Sequence, residues 1–141
     1  MKLFDIFKKK KPSLKEDIVK AYEWIATALK NSGYNADFSI ESLREIDRFF
    51  DEHAEIGQAK PGGLLSKNRG MRLFALGSYV GEVLIRQYGG EWETDDNDPK
   101  GEINIAVKLS NGSIIWPVQR VMKRFENGSE DEIYTYGIAC Q

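Results

Sequence analysis

The sequence predicts one α+β domain. N-terminal helices pack with a central helix and a small antiparallel sheet, followed by one or two short C-terminal helices. Three observations carry this. Apolar residues recur at helical spacing through most of residues 13–88. The period then drops to two over Ile103, Ile105, Val107 and Leu109. The chain has 141 residues, 41% hydrophobic and 30% charged, enough for one core and too few for two ordinary domains.

Residues 1–12 read as a basic tail and 13–141 as the domain. Leu3-Phe4-Asp5-Ile6-Phe7 precedes Lys8, Lys9, Lys10 and Lys11, so the first eleven residues carry five lysines against one aspartate. The total is −2, which leaves the body acidic. The apolar stretch is far too short to cross a bilayer and has no secretory cleavage site, which predicts a cytoplasmic protein. Its composition suits weak contact with an anionic membrane. The plainer alternatives are a solubilising tail or one packed on the body.

The first helix starts at Ser13, where Ser13-Leu14-Lys15-Glu16 has the form of a capping box. Leu14, Ile18, Ala21, Tyr22, Ile25, Ala28 and Leu29 form its stripe, and Gly33 stops it. A second helix spans about 40–55, capped by Ser39, with Leu43, Ile46, Phe49 and Phe50 inward. Gln58 to Gly63 reads as a loop because of Pro61-Gly62-Gly63.

A third helix spans about 67–88 and ends at Gly89-Gly90. Leu73, Phe74, Leu76, Val80, Leu84, Ile85 and Tyr88 fill half of it, which predicts a central helix. Gly77 and Gly81 lie within that arc. Each costs about 1 kcal/mol of helix propensity relative to Ala, so a close backbone neighbour is expected. The opposite sector holds Arg72, Ser78, Tyr79, Glu82 and Arg86.

Strands are expected at 91–94, 102–109 and 113–116, the last two joined by a type I′ turn at Asn111-Gly112. Pro117 suits the first turn of a helix. Val118, Val121, Met122 and Phe125 form its apolar side, and Arg120, Lys123 and Arg124 its basic side. Residues 130–139 read as a short helix behind a second capping box at Ser129, although Ile133-Tyr134-Thr135-Tyr136 also suits a strand.

Chemical motifs are few. Asp96-Asn97-Asp98-Pro99-Lys100-Gly101 imitates the start of a calcium loop, but Lys100 and Val107 stand where oxygen ligands belong. His53 is the only histidine and Cys140 the only cysteine, so no clustered zinc site is expected. His53 reads as a packing residue beside Phe49, Phe50 and Ile46. Phosphate loops and nucleophile elbows are missing, and no metal, cofactor or nucleic acid is expected.

Glu82 and Arg86 have the spacing of a helical ion pair and, with Tyr79, read as a structural pair or one wall of a polar groove. Trp92 and Trp116 read as core, or with Arg120 and Arg124 as a binding surface, since Trp and Arg dominate interface hot spots.

Leu76-Gly77, Gly81-Glu82, Gly89, Trp92, Pro117, Lys123-Arg124 and Gly128 together resemble a bacterial domain-of-unknown-function family over about residues 76–136. The resemblance implies α+β architecture and a bacterial origin, and it brings no activity. The expectation is a non-catalytic interaction module, immunity-like or accessory, that binds a protein partner. The alternatives are a small-ligand or hydrolytic protein using Glu82, Arg86 and Tyr79, and a peripheral membrane protein held by Lys8–Lys11.

Overall fold

The computed structural model describes residues 13–141, so the expectations placed on residues 1–12 lie outside the described residues. Helix α1 spans Leu14–Asn31. Ser13 is extended, and its hydroxyl accepts from Glu16 N at 3.2 Å. A second orphan donor, Leu14 N, is taken by Asp96 Oδ1 at 2.9 Å, so the acidic loop helps to cap this helix. At the far end Gly33 has a φ of +91°. There Tyr34 N and Gly33 N return to the carbonyls of Leu29 and Lys30, closing a Schellman motif.

A 3₁₀ turn, Ile40–Ser42, is capped by Ser39 and leads into α2, Leu43–His53. The last two residues of the expected second helix and the first two of the expected loop instead pair as a hairpin. Strand β1, Ala54–Glu55, pairs antiparallel with β2, Gln58–Ala59. Its two turn residues, Ile56 and Gly57, both have positive φ. An isoleucine is a poor signal for that conformation, and the turn is held from outside by a bond of 2.8 Å from Gly57 N to Phe125 O. His53 packs on Phe49, with ring centroids 4.6 Å apart. Its Nδ1 accepts from Leu64 N, and burial holds its pKa below the ordinary histidine value.

Helix α3, Arg69–Tyr88, is buried without interruption from Leu73 to Gly81. The sector opposite the apolar arc is therefore inside as well: Ala75, Ser78 and Tyr79 are as buried as Leu76 and Val80. Gly77 and Gly81 both sit at close approaches. A Cβ on Gly77 would lie 2.6 Å from Val118 Cα, and one on Gly81 would lie 2.2 Å from the Trp92 ring. The expected backbone neighbour is present at Gly77, whereas Gly81 admits an indole.

Past Gly89 the chain forms a three-stranded antiparallel sheet in the order β3 (Gly90–Glu93), β4 (Ala106–Leu109), β5 (Ile114–Ile115). Trp92 pairs with Val107, and Val107 with Ile115. The second strand begins later than its alternation implies. Lys100 O accepts from both Ile103 N and Asn104 N, which folds 100–104 into a turn. The β4–β5 connection is also not a two-residue type I′ turn. Leu109 N bonds to Ser113 O and Gly112 N to Leu109 O, and of Asn111 and Gly112 only Gly112 has positive φ, which is a three-residue loop with a glycine bulge.

Pro117 opens α4, Pro117–Asn127, and Gly128 at φ +76° ends it. A 3₁₀ turn, Gly128–Asp131, precedes α5, Ile133–Ala139, so this segment is helical. The fold is α+β. One cluster centred on Phe49, Phe50, Leu76, Leu84, Val107 and Ile133 forms most of the core. A smaller one, Ile18, Phe74, Ile105 and Val118, lies beneath α1.

Candidate functional site

The polar wall expected on α3 is divided by burial. Tyr79 is fully buried and does not face a groove, which corrects its placement on a binding surface. Its hydroxyl lies 2.7 Å from Ser42 Oγ and accepts from Phe38 N at 3.1 Å. That second bond supports Phe38 at a φ of +64°, and the Phe38 ring stacks on Tyr79 with centroids 4.7 Å apart. Burial raises the Tyr79 pKa, so the phenol stays protonated and remains able to donate to Ser42.

Glu82 and Arg86 do form an ion pair, with Arg86 Nε 3.1 Å from Glu82 Oε2. The Arg86 guanidinium lies 4.0 Å over the Phe38 ring, and Trp92 Nε1 donates to the other Glu82 oxygen at 3.4 Å. Three of the candidates, Glu82, Arg86 and Trp92, thus come together. Their polar atoms already serve one another.

Arg124 is the second correction. The basic side of α4 does not point as a stripe into solvent. The Arg124 side chain is 3% exposed and its Nε bonds Asp47 Oδ1 at 2.9 Å. Its Nη2 reaches Asp51 Oδ1 and Asp47 O. Asp47 also accepts from Ile133 N and Tyr134 N at 2.8 and 2.9 Å, so its carboxylate caps α5 from another helix. The Ser129 capping box expected for that helix does not form. Desolvation pushes the Asp47 pKa up, against the lowering by the two backbone donors and Arg124. Arg120 bridges to Asp131 at 3.6 Å and lies 4.2 Å over the Tyr136 ring. Trp116 stands at the N-terminus of α4 with almost half its surface in water. Arg120 and Arg124 therefore turn toward α5 and α2, and do not flank the two tryptophans as a single surface.

The acidic loop spends its carboxylates on itself and on α1. Asp95 accepts from Asn97 N, Asp98 from Lys100 N and Asn104 Nδ2, and Asp96 from Leu14 N. Among the described residues no group of three or more His, Cys, Asp or Glu is placed to hold a metal.

Among the described residues a concave feature lies between α1 and α3. It is a groove of about 680 Å³. Ala21 and Trp24 line one wall, one helical face of α1; Met71, Phe74 and Ala75 line the other, at the i, i+3, i+4 spacing of α3. Trp24 is 45% and Met71 58% exposed, while Phe74 closes the floor. Its charged lining residues are Asp17, Glu102 and one cation, Lys20. The same two acids also line a second groove of about 960 Å³ along the acidic loop, which includes Glu16, Asp96 and Asp98. An apolar trough thus opens into an acidic one.

Sequence reasoning passes over Trp24 and Met71. Trp24 lies off the stripe of Ile18, Ala21, Tyr22 and Ile25, and a tryptophan on the solvent side of an amphipathic helix is the signal that finds it. Met71 sits one turn before the α3 apolar arc closes, next to Gly70, where a Cβ would meet nothing within 4 Å.

The fold is thus an α+β unit whose polar clusters are structurally committed and whose open site is an apolar groove. Residues 54–136 match the family model described as Domain of unknown function (DUF3806), and the chain belongs to that family. The match covers the β1–β2 hairpin through most of α5, beginning earlier than the resemblance over 76–136 implies. No curated protein and no solved structure matches the chain. Among the described residues no helix is long and apolar enough to cross a membrane.

Proposed function

We propose that this protein is a non-catalytic interaction module that takes an apolar segment of a protein partner into the groove between α1 and α3. The carrying observation is the exposure of Trp24 and Met71 on its two walls. Large apolar side chains left in water on opposite walls of one groove favour burial by a ligand. Tryptophan and methionine suit such a surface, one as a rigid anchor and the other as an adaptable filler. Among the described residues no cysteine, serine or histidine lines the groove, and the polar clusters around Glu82 and Arg124 are engaged in internal bonds, which supports binding over catalysis.

The test is photocrosslinking in the cell that makes the protein. A benzophenone amino acid at position 71 should give one discrete adduct with a second protein. The same group at Lys30, exposed on α1 away from the groove, should not. Trp24→Asp should abolish the adduct from position 71 while leaving the thermal midpoint within a few degrees. Equal adducts from both positions, or an adduct indifferent to Trp24→Asp, would show that the groove is not the binding site.

A further inference from the structure

We propose that the groove is also the docking site of this chain's own N-terminal segment, with Leu3–Phe7 against Trp24 and Met71 and Lys8–Lys11 against the acidic edge. This rests on the reading of the groove as a binding site and adds its regulation: a partner must displace the segment. Two observations carry it, order and reach.

The order of chemistry along the segment mirrors the order along the groove. Counting back from Ser13, four lysines come first and an apolar stretch second. Moving from Ser13 along α1, acids come first, at Glu16 and Asp17 with Glu102 beside them; Lys20 follows, and the apolar walls at Ala21, Trp24 and Met71 come last. A segment running back along α1 therefore sets its lysines beside carboxylates and its Leu3, Phe4, Ile6 and Phe7 beside apolar walls. Asp5 is the one acid of that stretch, and Lys20 in the groove lining carries the opposite charge.

The reach is sufficient. Trp24 lies eleven residues beyond Ser13, about 16 Å along a helix that rises 1.5 Å per residue. Phe7 lies six residues before Ser13, which spans up to about 20 Å when extended. The tether also makes weak affinity enough. A short linker holds a segment at an effective concentration of millimolar order, so a groove with only millimolar intrinsic affinity is substantially filled. A free protein partner has no such advantage and must bind more tightly or arrive as an assembly.

The experiment uses the full chain, purified, with a benzophenone amino acid in place of Phe7. Irradiation should give an adduct within one chain, mapped to the peptide that contains Met71. Trp24→Asp or Met71→Asp, each altering a different exposed wall, should lower the yield of that adduct roughly tenfold, as expected for losing burial of one large apolar side chain. Raising salt from about 50 to about 500 mM should lower it further, because the lysine contacts are screened. Adducts scattered over the surface, adducts joining two chains, or adducts to lipid alone when phosphatidylserine vesicles are present would each overturn the proposal. Its failure is distinguishable from failure of the functional reading. Here residue 7 is tested against residue 71 of the same molecule, whereas the partner is tested from residue 71 outward.

Discussion

Two arginine–carboxylate contacts in this molecule have nearly the same length and opposite consequences. Arg124 meets Asp47 at 2.9 Å, and Arg86 meets Glu82 at 3.1 Å. The first pair is 3% and 11% exposed, the second 48% and 15%. Arg124 and Asp47 join α4 to α2 across 77 residues of sequence, and Asp47 further holds the first two amides of α5. Glu82 and Arg86 join one turn of α3 to the next, with Trp92 and Phe38 as neighbours. Distance alone therefore says little. A buried ion pair that loses one member strands the other in a medium that cannot solvate it, while a half-exposed pair hands its survivor to water.

The largest effect should come from breaking the buried pair. Arg124→Ala should destabilise by about 3–5 kcal/mol in denaturant unfolding, because the buried Asp47 carboxyl loses its cation. Asp47→Ala should cost at least as much, since it leaves Ile133 N, Tyr134 N and Arg124 Nε without their acceptor. Hydrogen exchange in residues 133–139 should accelerate selectively in Asp47→Ala. Loss of less than about 1 kcal/mol in both variants would erase the distinction between the two contacts.

The second test moves the exposed pair without touching it. Gly81→Ala places a methyl 2.2 Å from the Trp92 ring and must push the indole away from Glu82. Added helix propensity of about 1 kcal/mol favours the alanine, and overpacking of about 1–3 kcal/mol opposes it. The steric cost should win, with a net loss of about 1 kcal/mol and a red-shifted tryptophan emission as Trp92 meets water. Unchanged stability and emission would mean that the ring yields freely and that Gly81 is not a packing glycine.

The smallest effect belongs to Glu82 itself. Glu82→Gln should lower stability by about 0.5–1 kcal/mol, and Arg86→Met added to it should recover part of that loss. Thermal unfolding at low salt reads both. A midpoint equal to or above the wild type for Glu82→Gln would show that the pair is not stabilising and would return Glu82 to the candidates for a binding role.

How much is legible in the sequence differs between these regions for one reason. The Glu82–Arg86 pair, the Ser13 and Ser39 caps, the Pro117 start and the glycine stops at 33, 89 and 128 are local rules, satisfied within about four residues of themselves. The stripes of α1 and α3 are local too, and they point correctly to a central third helix. Gly77 and Gly81 are readable as close approaches because a glycine inside an apolar arc forgoes helix propensity, and close packing is what offsets that loss. Arg124 is not readable, because on α4 it occupies the side that periodicity assigns to solvent, and only the arrival of α2 and α5 makes that side interior. Tyr79 is misplaced for the same reason: one side of α3 becomes buried when Ser42 and Phe38 close over it. The β1–β2 hairpin is hidden because its turn depends on Phe125 O rather than on its own residues.

The sequence by itself determined where the main helices lie, where most of them stop, and that the body is acidic behind a lysine-rich start. Those properties follow from backbone propensity, spacing and charge, none of which requires a neighbour in space. Only the tertiary structure decided which polar residues are interior, which carboxylate caps a distant helix, and that Trp24 and Met71 line the two walls of one open groove. Each of those depends on desolvation and on contacts between residues far apart in the chain, and both exist only once the elements have packed.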